Sequence, residues 1–190
     1  MSKALLAFIL ILFIAGLSRA QNSSVYTDLS DAKCKTLESN PDEGGSYLGE
    51  CAGIGGYKLH VVEGDLRQTI NVIAPPGKKF ELNLWGFFGG FSSVGGKAEW
   101  RRKGKVPVAL IVRYNVSENP EDSTKITSYL MVSKITPEAV CVTAVIKPGR
   151  GQNTEARKMA DLASRLPCKT ERTAKEGLTG ESRTPTPRMS

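Results

Sequence analysis

The chain has 190 residues with 26 cationic and 19 acidic side chains, a single histidine and a formal net charge of +7. This charge is modest for the length, which argues against a protein whose main task is to bind nucleic acid. One histidine leaves His60 as the sole imidazole base for a hydrolytic triad. It cannot complete a common zinc site with the cysteines either, and we predict no metal or cofactor.

Residues 1–20 have the pattern of a secretory signal peptide. Lys3 precedes an apolar run from Ala4 to Gly16, and Ala20 is the small residue that suits the cleavage point. The run is shorter than the ~20 apolar residues that span a bilayer, so we expect cleavage and no stable membrane insertion afterwards. An uncleaved membrane anchor is the alternative. Cleavage leaves 24 cations against 19 anions, a net charge of +5.

Four cysteines follow the predicted signal peptide, and an even number in an exported chain predicts two disulfide bonds. We expect the pairing of sequence neighbours, Cys34 with Cys51 and Cys141 with Cys168, although two other connectivities are open. Each bond is worth roughly 3 kcal/mol in the chain-entropy description.

The first part of the exported chain is predicted to be irregular. We interpret residues 21–29 as a flexible segment, with a short helical turn over residues 28–35. Residues 38–56 are rich in Gly and also contain Asn40-Pro41, which is typical of loops.

From position 57 onward, alternating apolar and polar residues predict β-strands. The predicted strands are 57–61, 67–74, 80–84, 97–101, 106–116, 126–135 and 140–146. Short turns join most of them, such as Pro75 to Lys78. Because parallel strands need long crossover connections, we expect antiparallel pairing.

One helix is predicted over residues 153–166, with Asn153 or Thr154 as its N-cap. An apolar stripe at helical spacing is expected to pack on the core, with a partner groove as the alternative. The stripe consists of Met159, Leu162, Ala163 and Leu166. Pro167 ends the helix, and Cys168 would join its end to the last strand.

These elements predict an α+β fold with a mostly antiparallel sheet of about six or seven strands. The sheet is expected to curl into a sandwich or half-barrel, with one C-terminal helix and two disulfides. Residues 30–168 form a single disulfide-stabilised domain in this interpretation. Residues 169–190 contain one Leu, one Met and no aromatic residue, so we predict a disordered tail.

The candidate site lies in residues 85–105, WGFFGGFSSVGGKAEWRRKGK. This stretch fails as a phosphate-binding loop, because Gly96-Lys97 is followed by Ala98 instead of Ser or Thr. We interpret it as a glycine-rich connection between strands. Its phenylalanines either cover one end of the core or form an exposed patch for a partner.

Cations follow the glycines and suggest a surface for an anion or an acidic partner. Arginine side chains can fork onto carboxylate or phosphate, whereas a solvated strand edge is the alternative interpretation. The predicted binding residues are Phe87, Phe88, Phe91, Trp100, Arg101, Arg102 and Lys103.

No catalytic residues are predicted. His60 lies in the middle of a predicted strand, which favours a surface or half-buried position over the role of a base. Glu99 with Glu63 or Asp65 would be the carboxylate pair of a hydrolase, if the fold brings them together.

The signal peptide, local disulfides and small antiparallel sheet resemble the architecture of small exported proteins of Gram-negative bacteria, including periplasmic lysozyme inhibitors. We therefore predict a periplasmic or secreted, non-catalytic binding or inhibitor module of the bacterial envelope. Its partner would be an envelope or extracellular protein, a glycan or an anionic surface, and nucleic acid is not expected. The alternatives are a carboxylate-dependent hydrolase and a structural envelope protein with no discrete ligand.

Overall fold

A computed structural model describes residues 22–42, 45–119 and 121–170. The predicted signal peptide and nearly all of the predicted tail lie outside the described residues. Among those that are described, no helix is both long and apolar enough to cross a membrane.

The structure confirms a β-rich fold with one C-terminal helix and two disulfides, but the sheet has ten strands instead of six or seven. The strands are β1 (Ser23–Asp28), β2 (Lys35–Asn40), β3 (Ser46–Ala52), β4 (Lys58–Gly64), β5 (Arg67–Ala74), β6 (Lys78–Glu81), β7 (Ser92–Lys103), β8 (Val106–Ser117), β9 (Ile126–Ile135) and β10 (Val140–Ile146). The helix α1 spans Gln152–Leu162, and short 3-10 turns span Leu84–Phe87 and Ala163–Arg165.

The strand order is β10-β9-β8-β7-β5-β4-β3-β2, with β1 paired to β7 and β6 paired to β5. Among the described strands, all pairings are antiparallel except a short parallel contact of Arg67 with Ser92. β7 therefore has two neighbours on the same side, since its start lies beside β5 and its end lies beside β1.

The core lies inside the curl of this sheet. Leu59 and Ile70 from one half belong to the same buried cluster as Trp100, Leu110 and Met131 from the other half. Because β6 also contacts β10, the curled sheet comes close to closing on itself. Burial of these large apolar side chains supplies the main driving force for the curl.

Helix α1 covers the opposite face of β8, β9 and β10. Its buried residues are Ala156 and Ala160, followed by Ala163 in the next turn. The predicted stripe is therefore partly wrong: Leu162 is 40% exposed and Met159 only borders the cluster. Alanines at these positions allow the helix to approach the sheet closely, so the apolar side of α1 is made of small residues.

The start of α1 also differs from the prediction. Gly151 is the N-cap residue, with φ of 80°, and no described side chain caps the helix. Instead, the side-chain amide of Gln152 donates to the carbonyl oxygens of Ser128 and Ile146, at 2.9 and 3.2 Å. The helix is thus positioned by β9 and β10 instead of by Asn153 or Thr154.

The predicted disulfide pairing is confirmed. Cys34 bonds to Cys51, with 4.3 Å between the Cα atoms, and Cys141 bonds to Cys168, with 5.6 Å. The first bond joins the chain before β2 to β3, and the second joins β10 to the chain that follows α1.

The predictions of irregular structure for residues 21–29 and 38–56 are wrong where β1, β2 and β3 form. Residues 23–28 form β1 against β7, with Val25 opposite Trp100. The indole of Trp100 donates to the Thr27 hydroxyl at 2.9 Å, which ties β1 to the core. β2 and β3 form within the predicted loops, and β2 is exposed along its whole length. Such a strand lacks the apolar alternation on which the sequence prediction relied.

Candidate functional site

The fold divides residues 85–105 between two ends of the molecule. The phenylalanines precede β7, whereas the cations lie at its far end. A strand of twelve residues extends roughly 35–40 Å, so these two groups do not form one surface.

Three of the predicted binding residues lie in the core. Phe87 and Phe88 are 4% and 7% exposed, and Trp100 is fully buried. The ring of Phe88 packs on Tyr129, at a centroid distance of 4.6 Å, and on Tyr114, at 5.6 Å. The structure thus favours the core interpretation for these residues, which lie too deep to contact a partner.

Arg101 is buried as well, at 8% exposure. Its guanidinium donates to both carboxylate oxygens of Asp161, each at 2.8 Å, and also to Ser24 and to the carbonyl oxygen of Asn22. Arg101 therefore joins β1 and α1 instead of recognising an external anion. Asp161 lies 60 residues further along the chain, which is why the sequence did not indicate this pair.

The remaining cations of the predicted surface stay accessible. Arg102 is partly exposed and donates to the Ser23 hydroxyl at 3.1 Å, and Lys103 is exposed. Two cations at the end of a strand are common on solvated edges and do not by themselves define a site.

The carboxylates considered for catalysis each have a different partner. Glu99 accepts from Arg157 at 2.7 Å, Glu63 accepts from Gln68 at 2.6 Å, and Asp65 accepts from Arg67 at 2.7 Å. Burial raises the pKa of Glu99, but the hydrogen bonds from Arg157 and Ser24 outweigh it and leave this pKa lowered. No pairing of Glu99 with Glu63 or Asp65 appears among these contacts.

Phe91 is the predicted aromatic residue that remains at the surface, and it is 50% exposed. Extending the sheet register places it in one row with two further apolar residues, one of them next to it and the other beyond Ser117. Arg67 pairs with Ser92 and Ser92 with Val116, so Leu66 and Ser117 flank Phe91. Ser117 in turn pairs with Ile126. Leu66 and Ile126 are each 54% exposed. We call the row of Leu66, Phe91 and Ile126 the apolar rim.

The backbone beneath the rim is held firmly. The Ser92 N–H donates to the Leu66 carbonyl at 3.1 Å, and the Ser117 N–H donates to the Phe91 carbonyl at 2.9 Å. Gly90 packs directly against Ser117, where an added Cβ would lie 1.7 Å from the carbonyl oxygen. Only glycine fits this close approach, so Gly90 fixes the path of the chain into Phe91.

A tight turn of unusual sequence presents Leu66. Asp65 and Leu66 form the two-residue connection between β4 and β5, with φ of 52° and 58°. Positive φ at both positions defines a type I′ turn, in which Gly is preferred at the second position. A leucine in the left-handed region costs roughly 1–2 kcal/mol. Because the Leu66 side chain is also half exposed, its packing does not offset this strain.

A recess of about 700 Å³ adjoins the rim. Asp65, Arg67, Phe91 and Glu118 are among its lining residues. Glu118 accepts a hydrogen bond from the Tyr129 hydroxyl at 2.8 Å. Burial, together with this carboxylate, raises the pKa of Tyr129 to about 12, so the phenol stays protonated and keeps donating to Glu118.

His60 lies elsewhere, on the outer face of β4. Its Nε2 is 3.3 Å from a carboxylate oxygen of Glu50, which also accepts from Lys58 at 2.7 Å. The hydrogen bond from Lys58 lowers the pKa of Glu50, so this carboxylate remains charged beside the imidazole.

Comparison with protein-family models, with curated proteins and with solved structures found no match for this chain. Within the described ranges, no group of three or more His, Cys, Asp or Glu side chains is arranged to hold a metal ion. The candidate site therefore rests on geometry alone. The apolar rim is the arrangement that retains a predicted binding residue, Phe91, at the surface.

Proposed function

We propose that this protein is an exported, non-catalytic binding or inhibitor module of the bacterial envelope that docks a protein partner through the apolar rim. The observation that carries the proposal is Leu66, which is strained and half exposed in a turn that favours glycine. Strained backbone positions cluster at functional sites, because selection keeps them there against their energetic cost.

The chemistry of the rim fits a protein surface. Half-exposed Leu, Phe and Ile side chains in one row suit insertion into an apolar pocket. Charged groups, including Asp65, Arg67 and Glu118, line the recess that adjoins Phe91, as in the polar margin of a typical interface. Three such side chains are few for an obligate homodimer, whose interface buries roughly 2,000–5,000 Å² in total. A different protein with a complementary pocket is therefore the partner that we propose.

Rigidity also supports docking. Hydrogen bonds on both sides of Phe91 and the close packing of Gly90 fix the rim before any partner arrives. A preformed anchor loses little conformational entropy on binding, which is the advantage that protein inhibitors with rigid loops exploit.

The carboxylate contacts support a non-catalytic role over a hydrolase. A general acid needs a raised pKa, whereas the pKa values of Glu99 and Glu50 are both lowered by their hydrogen-bond donors. The two disulfides are consistent with an oxidising compartment, and together with the predicted signal peptide they favour a periplasmic or secreted location.

The proposal is tested by comparing variants as bait in envelope extracts of the producing cells. Leu66→Gly and Phe91→Ser should each lose at least tenfold of one captured protein that the unmodified chain retains. Val106→Ser is the matched control, because Val106 is 63% exposed and pairs with Lys103 at the far end of β7. Once purified, the captured protein should bind the unmodified chain and Val106→Ser with lower dissociation constants than Leu66→Gly and Phe91→Ser.

Leu66→Gly separates docking from folding. Removing a leucine from the left-handed region should leave the free energy of unfolding unchanged or raise it by up to about 1 kcal/mol. Weaker capture together with equal or higher stability supports a functional reason for Leu66. Equal capture by all three variants would show that the rim is not the docking surface.

A further inference from the structure

A second concave surface lies on the outer face of the half-sheet β2–β6. In β4, Leu59 and Val61 turn to the core, so His60 and Val62 face outward. A groove of about 350 Å³ crosses this face, and it shares no lining residue with the recess beside the apolar rim. It is built on strands, which hold side chains more rigidly than loops do.

Two register rows cross the groove region. The first places Glu50, His60, Asn71 and Glu81 opposite one another on β3, β4, β5 and β6. The second places Glu38, Leu48, Val62 and Thr69 opposite one another on β2 to β5. Asn83 and Trp85, from the chain after β6, complete the lining.

Several polar groups here have unused hydrogen-bonding capacity. Among the described residues, none is a hydrogen-bond partner of the Asn71 amide, the Glu38 carboxylate or the Trp85 indole N–H. Other charges nearby are already engaged, since Glu81 pairs with Lys79 at 2.8 Å and Glu63 with Gln68. Asn71 and Trp85 are also only partly exposed. A ligand with several donors and acceptors would therefore gain directional contacts.

Apolar surface accompanies these polar groups. Leu48, Val62 and Trp85 line the same groove. A sugar ring matches this combination, because hydroxyls surround its edge and C–H groups cover its faces. An amide both donates and accepts, so Asn71 can bridge neighbouring hydroxyls, while an aromatic face accommodates the C–H groups. We propose that the groove is a binding site for a short, neutral saccharide.

The charges of the groove favour a neutral saccharide over an acidic one. Glu38, Glu63 and Glu81 line the groove, whereas Lys79 is the lysine in the lining and is tied to Glu81. Anionic sugars and nucleic acid would be repelled by this excess of carboxylates. A purely apolar ligand would desolvate Asn71 and Glu38 without replacing their hydrogen bonds to water, which is penalised.

The two tryptophans provide a built-in readout. The chain contains two of them, Trp85 in the groove and Trp100 in the core. Binding is followed in proton–nitrogen correlation spectra of the disulfide-bonded protein. The neutral ligands added are cellotetraose, maltotetraose and chitotetraose. Tetragalacturonate and tetralysine test an acidic saccharide and a basic peptide. At least one neutral tetrasaccharide should shift the Trp85 indole signal saturably and leave the Trp100 signal unmoved.

Variants then locate the site. Asn71→Ala should weaken binding of that saccharide about tenfold, the value of one or two lost hydrogen bonds. Glu38→Ala, on the fully exposed β2, should weaken it several-fold without affecting folding. Asn153→Ala, an exposed asparagine on α1, is the matched control and should bind like the unmodified chain.

Clear outcomes would overturn the saccharide site. These are the absence of a Trp85 shift with all three neutral probes, tighter binding of tetragalacturonate, or binding of tetralysine alone. Unchanged affinity in both groove variants would also exclude it. The two proposals fail independently, because Leu66→Gly should keep saccharide binding and Asn71→Ala should keep protein capture.

Discussion

The two outer faces of the sheet differ in how their polar groups are used. On the β7–β10 half, α1 covers the face, and two arginine contacts, Arg101 with Asp161 and Arg157 with Glu99, join helix and sheet. On the β2–β6 half, no described helix covers the face, and no described residue makes a hydrogen bond to the side chain of Asn71 or Glu38. The difference separates polar residues that hold the fold together from those available to a ligand.

The largest expected effect tests whether the two halves are equally dependent on cross-links. The disulfides close loops of 17 and 27 residues, so removing either by paired Cys→Ala substitution should cost about 3–4 kcal/mol, slightly more for the longer loop. Chemical denaturation of each variant measures this cost. The prediction fails if one bond contributes less than about 1 kcal/mol.

A smaller effect separates the covered face from the open face. Ala160 lies on the side of α1 that faces the sheet and is 2% exposed, so Ala160→Leu overpacks the helix–sheet contact and should lower the free energy of unfolding by about 1–3 kcal/mol. Val62→Leu enlarges a partly exposed side chain on the open face and should change the free energy of unfolding by no more than about 0.5 kcal/mol. Thermal denaturation of both variants measures these changes. Equal losses of stability would contradict the proposed difference between the face covered by α1 and the open face.

The smallest expected effect is on the loss of folding stability at acidic pH. The pKa values of Glu99 and Asp161 are lowered in the fold, because their arginine hydrogen bonds outweigh the effect of burial. The unfolded chain therefore binds more protons near pH 4, and the stability from these carboxylates is lost as pH falls from about 5 through their folded pKa values. Glu99→Gln should flatten this loss by on the order of 1 kcal/mol in pH-dependent denaturation.

Glu138→Gln is the control for the acid experiment, since Glu138 is exposed and lies in the turn between β9 and β10. An identical pH dependence in Glu99→Gln and the unmodified chain would show that the helix-to-sheet ion pair does not contribute.

Sequence patterns predicted the second part of the fold well, because burial there imposes regular periodicity. β8, β9 and β10 contain near-continuous apolar residues, and both disulfides join sequence neighbours. β2 was missed because all its residues are exposed, and β1 because its pairing with β7 depends on contacts about 75 residues apart. Neither an exposed strand nor a pairing between distant residues leaves a pattern in the local sequence.

The site was harder to predict than the fold. Phe91 was found because a phenylalanine among glycines is conspicuous, but Leu66 and Ile126 join it only through strand register. One local signal was available: Asp65-Leu66 fills the gap between two alternating runs, where Asp-Gly would be usual. The sequence around Trp100 and Arg101 could not predict their burial, because β1 and α1, which cover them, come from distant parts of the chain.

The contact of Arg101 with the Asn22 carbonyl has a practical consequence for handling the protein. A purification tag or dye attached immediately before Asn22 would be forced close to the Arg101–Asp161 pair and to the edge of β7. A bait immobilised from that side would present a perturbed α1 contact to the extract. Attachment at the C-terminal end of the chain adds nothing directly before Asn22, and we expect it to be the better choice for every capture experiment above.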